Sequence, residues 1–232
     1  MTSSADASGR RALTRLWLIR HGRVASAWTD RIYGRLDVPL SRAGERQARE
    51  AAERLAAEPL AAVVSSGLAR TEYGAARLRR GRDLARRDEP DLAEIDRGEW
   101  AGVRFADLER DSPGALAAWC REPERIRPPG GENLADLAGR VLPRVQALVG
   151  EFGGGAVAVV AHSWVIRVAL CAAVGLPPGA AQSFDPVPGS ISAVDWPTPA
   201  GAERGLRPTL VGCGLDRPPD RSRGWFRGPH RG

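Results

Sequence analysis

The chain has 232 residues, of which 43% are hydrophobic and 27% are charged, a composition typical of a globular protein with one domain. All 34 basic side chains are arginines, which excludes P-loop nucleotide hydrolases and Schiff-base enzymes because both depend on a lysine amine. Only three histidines and three scattered cysteines are present, with no Cys-x-x-Cys pair, so we expect no metal and no cofactor.

The net charge of +6 is concentrated at the two ends of the chain. Residues 217–232 hold five arginines and one aspartate, and residues 1–15 hold three arginines and one aspartate, so the stretch between them is neutral. The last segment is rich in Pro, Gly and Arg, which predicts a solvated, disordered tail. An arginine-aromatic tail is also compatible with RNA or an anionic membrane, but the tail interpretation is favoured and no nucleic-acid partner is expected.

These features predict a polar extension over residues 1–15, a folded domain over residues 16–212 and a basic tail over residues 213–232. The first 15 residues lack the apolar segment of a signal peptide, and the longest apolar run, Ala156 to Ala161, is too short to span a bilayer. An odd cysteine count fits a reducing compartment. We therefore expect a cytoplasmic protein without a membrane partner; its oligomeric state is left open, with a homodimer as one option.

Alternating apolar and helical segments run through the domain. Strands are predicted at residues 16–20, 61–65, 156–161, 190–196 and 208–211. Helices are predicted at residues 42–58, 69–80 and 163–174, and from the turn at 128–133 to about residue 152 with a kink at Pro143. Residues 84–103 are expected to be irregular or extended, with two short helical segments within 104–122. This order predicts an α/β fold with three layers and a mostly parallel central sheet.

Polar side chains follow three of the predicted strands. Arg20 and His21 follow the first, Ser66 and then Arg70 follow the second, and His162 follows the third. The carboxyl ends of parallel strands meet at one edge, so these groups are expected to lie together. Guanidinium groups bind phosphate oxygens in pairs, and nearby positive charge lowers the pKa of an imidazole and leaves a nitrogen free for attack. The pattern predicts a phosphate site with a histidine nucleophile.

Six sequence blocks carry a family resemblance. They are LWLIRHG (16–22), GRLDVPLSRAGERQA (34–48), SSGLART (65–71), LAEIDRGEWAG (92–102), PGGEN (129–133) and VVAHSWVIR (159–167). In this order they resemble the histidine phosphatase superfamily, whose fold is that of the phosphoglycerate mutases. The short segment around EIDRGEWAG resembles the phosphatase branch, and is similar to alpha-ribazole phosphatases and broad-specificity phosphatases.

The resemblance implies a role for five residues. His21 is the expected nucleophile and becomes phosphohistidine, and Glu94 is the expected proton donor to the leaving alcohol. Arg20 and Arg70 are expected to bind the phosphoryl oxygens together with His162, the second histidine of the pocket. The implied activity is metal-independent hydrolysis of a small phosphomonoester, with alpha-ribazole 5'-phosphate as one candidate. The alternatives are a cofactor-primed phosphoglycerate mutase and a degenerate protein that only binds phosphorylated ligands.

Several positions differ from the family pattern or are left without a role. Val24, Ala27, Leu36 and Ser163 replace residues that the family commonly has near the phosphate. Glu132 and Arg140 are interpreted as scaffold contacts. Arg23, Arg97 and Arg104 are candidates for binding a second acidic group of the substrate, although solvated surface arginines are the favoured interpretation. The tryptophans and Tyr33 are interpreted mainly as core residues.

Overall fold

The computed structural model describes residues 12–214, and a six-stranded sheet forms its centre. The strands are β1 (Leu13–Arg20), β2 (Leu60–Ser65), β3 (Arg86–Asp88), β4 (Ala156–Ala161), β5 (Ile191–Pro197) and β6 (Thr209–Gly212). They lie in the order β3-β2-β4-β1-β5-β6. The first four are parallel to one another, and β5 and β6 are antiparallel to their neighbours. The predicted mostly parallel sheet is therefore confirmed.

Seven α-helices connect these strands within residues 12–214. They are α1 (Arg42–Arg54), α2 (Ala69–Arg79), α3 (Phe105–Asp111), α4 (Ala115–Arg121), α5 (Leu134–Glu151), α6 (Ser163–Ala173) and α7 (Pro199–Glu203). The Ser41 hydroxyl accepts a hydrogen bond from the Gly44 amide at 3.0 Å and caps α1, as its sequence indicated. In the described part of the chain, no helix has the length and apolarity needed to cross a membrane.

The sheet separates two hydrophobic cores because successive side chains of a strand point to opposite faces. Leu16 and Leu18 of β1 belong to the core that includes residues of α5 and α6. Trp17 and Ile19 belong to the other core, which includes residues of α1 and α2. Helices thus cover both faces, and the parallel strands all deliver their last residues to one edge.

Several boundaries differ from the sequence prediction. α1 ends at Arg54 rather than at residue 58. β1 begins at Leu13 rather than at residue 16, because β5 pairs with it from the Leu13–Pro197 position onward. β3 lies within the stretch predicted as irregular or extended, and its three residues are paired with the end of β2. The bounds of both strands come from pairing with a distant part of the chain. Most of the predicted extension and of the basic tail, including residues 217–232, lies outside the described residues.

Candidate active site

The order of three neighbouring strands sets the layout of the site. β4 lies between β2 and β1, with Arg20 paired to Ala161 and Ser65 paired to Val160. His21 and His162 therefore follow their strands at the same level, and Ser66 lies one residue earlier, level with Ala161 and within hydrogen-bond distance of His162. The two histidines are both buried, and their ring centroids are 5.2 Å apart.

His21 is held as a neutral imidazole. Its Nδ1 lies 2.7 Å from the Gly22 carbonyl oxygen, which can only accept, so Nδ1 carries the proton and Nε2 has a free lone pair. Burial lowers the pKa of His21 to about 3, and the charges of Arg70 and Arg20 contribute to that shift. The ring therefore stays unprotonated at neutral pH with one nitrogen available for attack.

His162 is fixed by a chain of hydroxyl groups. The Thr71 hydroxyl donates to the Leu68 carbonyl at 2.8 Å, so the Ser66 hydroxyl, 2.9 Å away, must donate to Thr71. The Ser66 oxygen then accepts from Nε2–H of His162 at 2.7 Å. This leaves Nδ1 of His162 unprotonated, buried and without a partner in the described residues. Burial, followed by the charge of Arg70, lowers the pKa of His162 well below its usual value.

Two guanidinium groups border the histidines. Arg70, at the start of α2, is fully buried and donates from Nη1 to the Leu36 carbonyl at 2.6 Å and from Nη2 to the Gly34 carbonyl at 2.7 Å. Arg20 donates from Nη1 to the Pro186 carbonyl at 2.7 Å. Neither forms an ion pair with a carboxylate of residues 12–214, and Nε of each is buried without a partner. Both guanidinium groups are thus oriented by neutral carbonyls and keep their charge for an anion.

Two glycines permit the close packing around these groups. Gly34 has φ of +44°, and a Cβ there would lie 2.8 Å from the Ile95 carbonyl oxygen and 2.9 Å from the Arg97 side chain. A Cβ on Gly22 would collide with the backbone of Gly44 in α1. Side chains at these positions would displace the carbonyls that orient Arg70 and His21.

Glu94 lies in the loop between β3 and α3 and is buried. Its carboxylate accepts from the Ile95 amide at 3.0 Å and from the Trp164 amide at 3.2 Å. Because Trp164 is in the first turn of α6, just after His162, these hydrogen bonds fix the carboxylate next to the second histidine. The amide of Trp164 at the start of α6 is therefore a hydrogen-bond donor to Glu94.

Arg140 of α5 supports the Glu94 loop from behind. It forms a bidentate pair with Glu132, with Nε–Oε1 and Nη2–Oε2 distances of 2.7 and 2.8 Å. Its remaining hydrogens bind the carbonyls of Asp91, Ala93 and Glu94 at 2.6, 2.8 and 3.1 Å. The structure confirms that both residues are scaffold contacts, and it shows that the element they support is the loop that carries the carboxylate.

The three arginines considered for a second acidic group differ in exposure. Arg23 and Arg104 are exposed, in agreement with the interpretation as solvated residues. For Arg97 that interpretation is wrong, because this side chain is only 7% exposed. Its guanidinium carbon lies 4.1 Å from the ring centroid of Trp119 and 5.7 Å from that of Trp164. Packing of α4 and α6 against the loop covers it.

The structure brings all five predicted site residues, His21, Glu94, His162, Arg20 and Arg70, into one buried region at the sheet edge. Glu94 is close enough for its charge to act on Arg70, and Arg70 acts on both histidines. Their catalytic and binding roles stay predictions.

Sequence reasoning named three neighbours of these residues without predicting what they contact. Ser66 orients His162, and the Tyr33 ring covers Arg70 with the guanidinium carbon 5.4 Å from its centroid. Arg97 is the third. The position of Ser66 at the end of β2, next to the strand that carries His162, was the one signal that could have identified its role. Nothing in the local sequence shows that Tyr33 contacts Arg70 or that Arg97 is covered by two tryptophans.

The four positions that depart from the family pattern do not disturb the arrangement. Leu36 contributes its backbone carbonyl to Arg70, so its side chain is not needed there. The Ser163 hydroxyl accepts from Nε of Arg167 at 3.2 Å. Val24 is buried and Ala27 is exposed.

Comparison with known proteins agrees with this geometry. The sequence model of the histidine phosphatase superfamily (branch 1) matches residues 16–203. Glucosyl-3-phosphoglycerate phosphatase of Mycobacterium tuberculosis (strain H37Rv) is 37% identical over 171 residues, which cover 70% of this chain and 76% of that protein. Phosphoserine phosphatase 1 of Hydrogenobacter thermophilus is 31% identical over 166 residues, covering 71% and 78%.

Solved structures extend the similarity over most of the fold. The alpha-ribazole phosphatase from Shigella flexneri superposes with a TM-score of 0.77 at 25% sequence identity, covering 88% of this chain and 97% of that one. The family match, the relatives and the site geometry lead to the same conclusion: the chain belongs to the histidine phosphatase superfamily, branch 1.

Proposed function

We propose that the protein is a metal-independent phosphomonoester hydrolase in which His21 carries the phosphoryl group between the substrate and water. The observation that carries the proposal is the neutral His21, whose Nδ1–H is bound to Gly22 and whose Nε2 is free beside two uncompensated guanidinium groups. A free imidazole beside cations that hold phosphate oxygens is the arrangement needed for in-line phosphoryl transfer. The phosphatase names of the relatives support it.

The reaction has two balanced steps. In the first, the Nε2 lone pair of His21 attacks phosphorus, the ester P–O bond breaks, and the leaving oxygen takes a proton from the Glu94 carboxyl group. In the second, Glu94 takes a proton from water, the water oxygen attacks phosphorus, and the N–P bond breaks to return neutral His21. Arg20 and Arg70 bind the equatorial oxygens in both steps, and their charge stabilises the transition states.

His162 couples binding of the phosphate ester to uptake of a proton by its own imidazole. Its Nδ1 lacks a proton in the free protein, whereas donation to a phosphoryl oxygen requires one. A bound phosphate dianion favours the imidazolium form, because an opposite charge raises the pKa of a histidine. Ester binding should therefore take up a proton, which calorimetry in buffers of different ionisation enthalpy measures directly.

The substrate is proposed to be a small phosphorylated metabolite. Alpha-ribazole 5'-phosphate, phosphoserine and glucosyl-3-phosphoglycerate are the candidates that the names of similar proteins supply. We further propose a cytoplasmic location, which the three free cysteines support.

Phosphate release from a panel of these esters in EDTA tests the proposal, with wild type and His21→Ala run side by side. Loss of the nucleophile should lower turnover by about 10⁴-fold or more. Wild type quenched during turnover should carry an acid-labile, base-stable phosphoryl group that His21→Ala lacks. Full activity in His21→Ala would exclude the phosphohistidine mechanism, and absence of phosphate release from every ester would exclude the hydrolase.

A further inference from the structure

Arg97 is a buried cation without an anion. The side chain is 7% exposed, and it forms no ion pair or hydrogen bond with any residue from 12 to 214. Its Nη1 is enclosed and has no partner. A guanidinium loses favourable hydration on burial, and buried charges are normally paired for that reason. An anion from outside the chain would supply the missing partner.

Two tryptophans hold the guanidinium in place. Trp119 and Trp164 meet edge to face with centroids 4.9 Å apart, and Arg97 lies against the Trp119 ring in the corner between them. Cation–π contact of this kind fixes a guanidinium and occupies its face, while the N–H groups in its plane stay available. An anion that pairs with Arg97 would therefore approach in the plane of the guanidinium, where Nη1 has no partner among residues 12–214.

Arg97 lies near Glu94, the residue proposed to protonate the leaving group. Trp164, which Arg97 contacts, donates its amide to Glu94, and the Glu94 charge acts on Arg97. The charges that act on the two histidines include those of Arg20 and Arg70 and not that of Arg97.

Arg97 differs from two neighbouring arginines in having no carboxylate partner within residues 12–214. Arg167, on the other side of Trp164, is paired with Asp185 at 2.8 Å, and Arg140 is paired with Glu132. A phosphate dianion would match Arg20 and Arg70. When Glu94 carries the proton that it gives to the leaving oxygen, no carboxylate charge within residues 12–214 remains to balance Arg97.

We propose that Arg97 binds a carboxylate in the leaving-group part of the substrate, so that the protein selects phosphomonoesters of hydroxy acids over those of neutral alcohols. The inference rests on the proposed function for the placement of the phosphate. A carboxylate is planar and singly charged, and it therefore fits both the in-plane geometry and the single uncompensated charge of Arg97.

Matched pairs of esters test the proposal. O-Phosphoserine differs from O-phosphoethanolamine by its carboxylate, and 3-phosphoglycerate differs from glycerol 3-phosphate by a carboxylate in place of an alcohol. Wild type should favour the carboxylate member of each pair in kcat/KM by about ten- to hundredfold, the effect of one charged hydrogen-bonded pair. Arg97→Met should remove that preference, with less than about a threefold change for the neutral member, and Arg97→Lys should keep part of it.

Arg104→Gln is the matched control, because Arg104 is an exposed arginine whose partner, Asp30, is also on the surface at 3.4 Å. It should keep the wild-type preference. Equal kcat/KM for both members in wild type would overturn the proposal. So would an equal loss for both members in Arg97→Met, which would make Arg97 a support for Glu94. If the melting temperature of Arg97→Met is far below that of wild type, the kcat/KM comparison is made with Arg97→Gln and Arg97→Lys instead.

Binding separates this proposal from the hydrolase itself. Dissociation constants of the same four esters are measured by calorimetry on His21→Ala, with Arg97 intact or changed to Met. A carboxylate preference that disappears with Arg97 supports the proposal even if wild type releases no phosphate, an outcome that overturns only the hydrolase. Equal dissociation constants within each pair overturn the carboxylate site even if hydrolysis is fast.

Discussion

The proposed phosphate side of the site and its proposed leaving-group side hold similar groups by different means. On the phosphate side, Arg20, His21, Arg70 and His162 stand at strand ends or at the start of a helix, and hydrogen bonds to carbonyls and hydroxyls orient each of them. On the leaving-group side, Glu94 and its neighbours belong to a loop that the Arg140 guanidinium and two tryptophans hold in place.

From this difference we expect the phosphate side to determine the reaction and the leaving-group side to determine which substrate is selected. Every phosphomonoester presents the same phosphoryl group to the phosphate side, so changes there should affect all substrates alike. The leaving-group side meets the part of the ester that varies, and changes there should depend on the alcohol. The predictions below test whether the two sides act independently.

After the loss expected for His21→Ala, the next largest effect is expected for Glu94→Gln with an alkyl ester. Glutamine cannot protonate the leaving oxygen, and turnover of glycerol 3-phosphate should fall by about 10³-fold. With p-nitrophenyl phosphate, whose leaving group needs no proton, the first transfer to His21 should survive. Stopped-flow absorbance should then show a burst of p-nitrophenol equal to the enzyme concentration, followed by slow release of phosphate. Loss of the burst would show that Glu94 also serves the phosphate side.

Arg70→Gln should give the opposite pattern. The substitution removes a charged donor from phosphoryl oxygens in both steps, and kcat/KM should fall by about 10²-fold for alkyl and aryl esters alike. Arg77→Gln, a change on the same helix α2 outside the site, should be nearly neutral. A loss that depends on the leaving group would contradict the division between the two sides.

A smaller effect is expected for Arg140→Met. The loop carbonyls of Asp91, Ala93 and Glu94 lose their donors, so kcat for glycerol 3-phosphate should fall by about tenfold while KM changes little. Loss of one partner of the half-buried Arg140–Glu132 pair should lower the free energy of unfolding by about 3 kcal/mol.

A purely structural role predicts a different set of results for the same variant. The burst rate with p-nitrophenyl phosphate should stay close to wild type if Arg140 acts through Glu94, and should fall with kcat if the whole fold is loosened. Arg140→Lys, which keeps a donor at this position, should recover part of kcat.

The sequence predicted the phosphate side better than the leaving-group side. The structural elements that position each side explain why. Strand ends follow from hydrophobic patterning, and parallel pairing brings them together, so His21, Arg70 and His162 were found from local signals and family blocks. The start of β1 at Leu13 was not found, because it depends on pairing with residues near 197.

Arg97 shows the limit of what the sequence predicts on the leaving-group side. An arginine in an arginine-rich chain carries no sign of burial, and its exposure is decided by Trp119, which α4 brings from 22 residues further along, and by Trp164 from α6. In the same way, Arg140 acts through hydrogen bonds to backbone carbonyls of the loop. Backbone contacts of this kind cannot be predicted from the pattern of residue types.

The smallest expected effect is a pH dependence of stability that belongs to the phosphate side alone. The pKa of His21 falls from about 6.5 in the unfolded chain to about 3 in the folded protein. Between these pH values the unfolded state binds a proton that the folded state does not. The free energy of unfolding is therefore highest above pH 6.5, as far as His21 is concerned, and decreases as the pH falls. The slope from this histidine is about 1.4 kcal/mol per pH unit.

Urea unfolding between pH 7 and pH 5 in phosphate-free buffer measures this slope. His21→Gln should make it shallower by about 1.4 kcal/mol per pH unit below pH 6.5. Saturating phosphate should raise stability in wild type, because ligand binds the folded state only. An unchanged slope in His21→Gln would mean that the ring is protonated in the fold, and a protonated His21 has no lone pair on Nε2 with which to attack phosphorus.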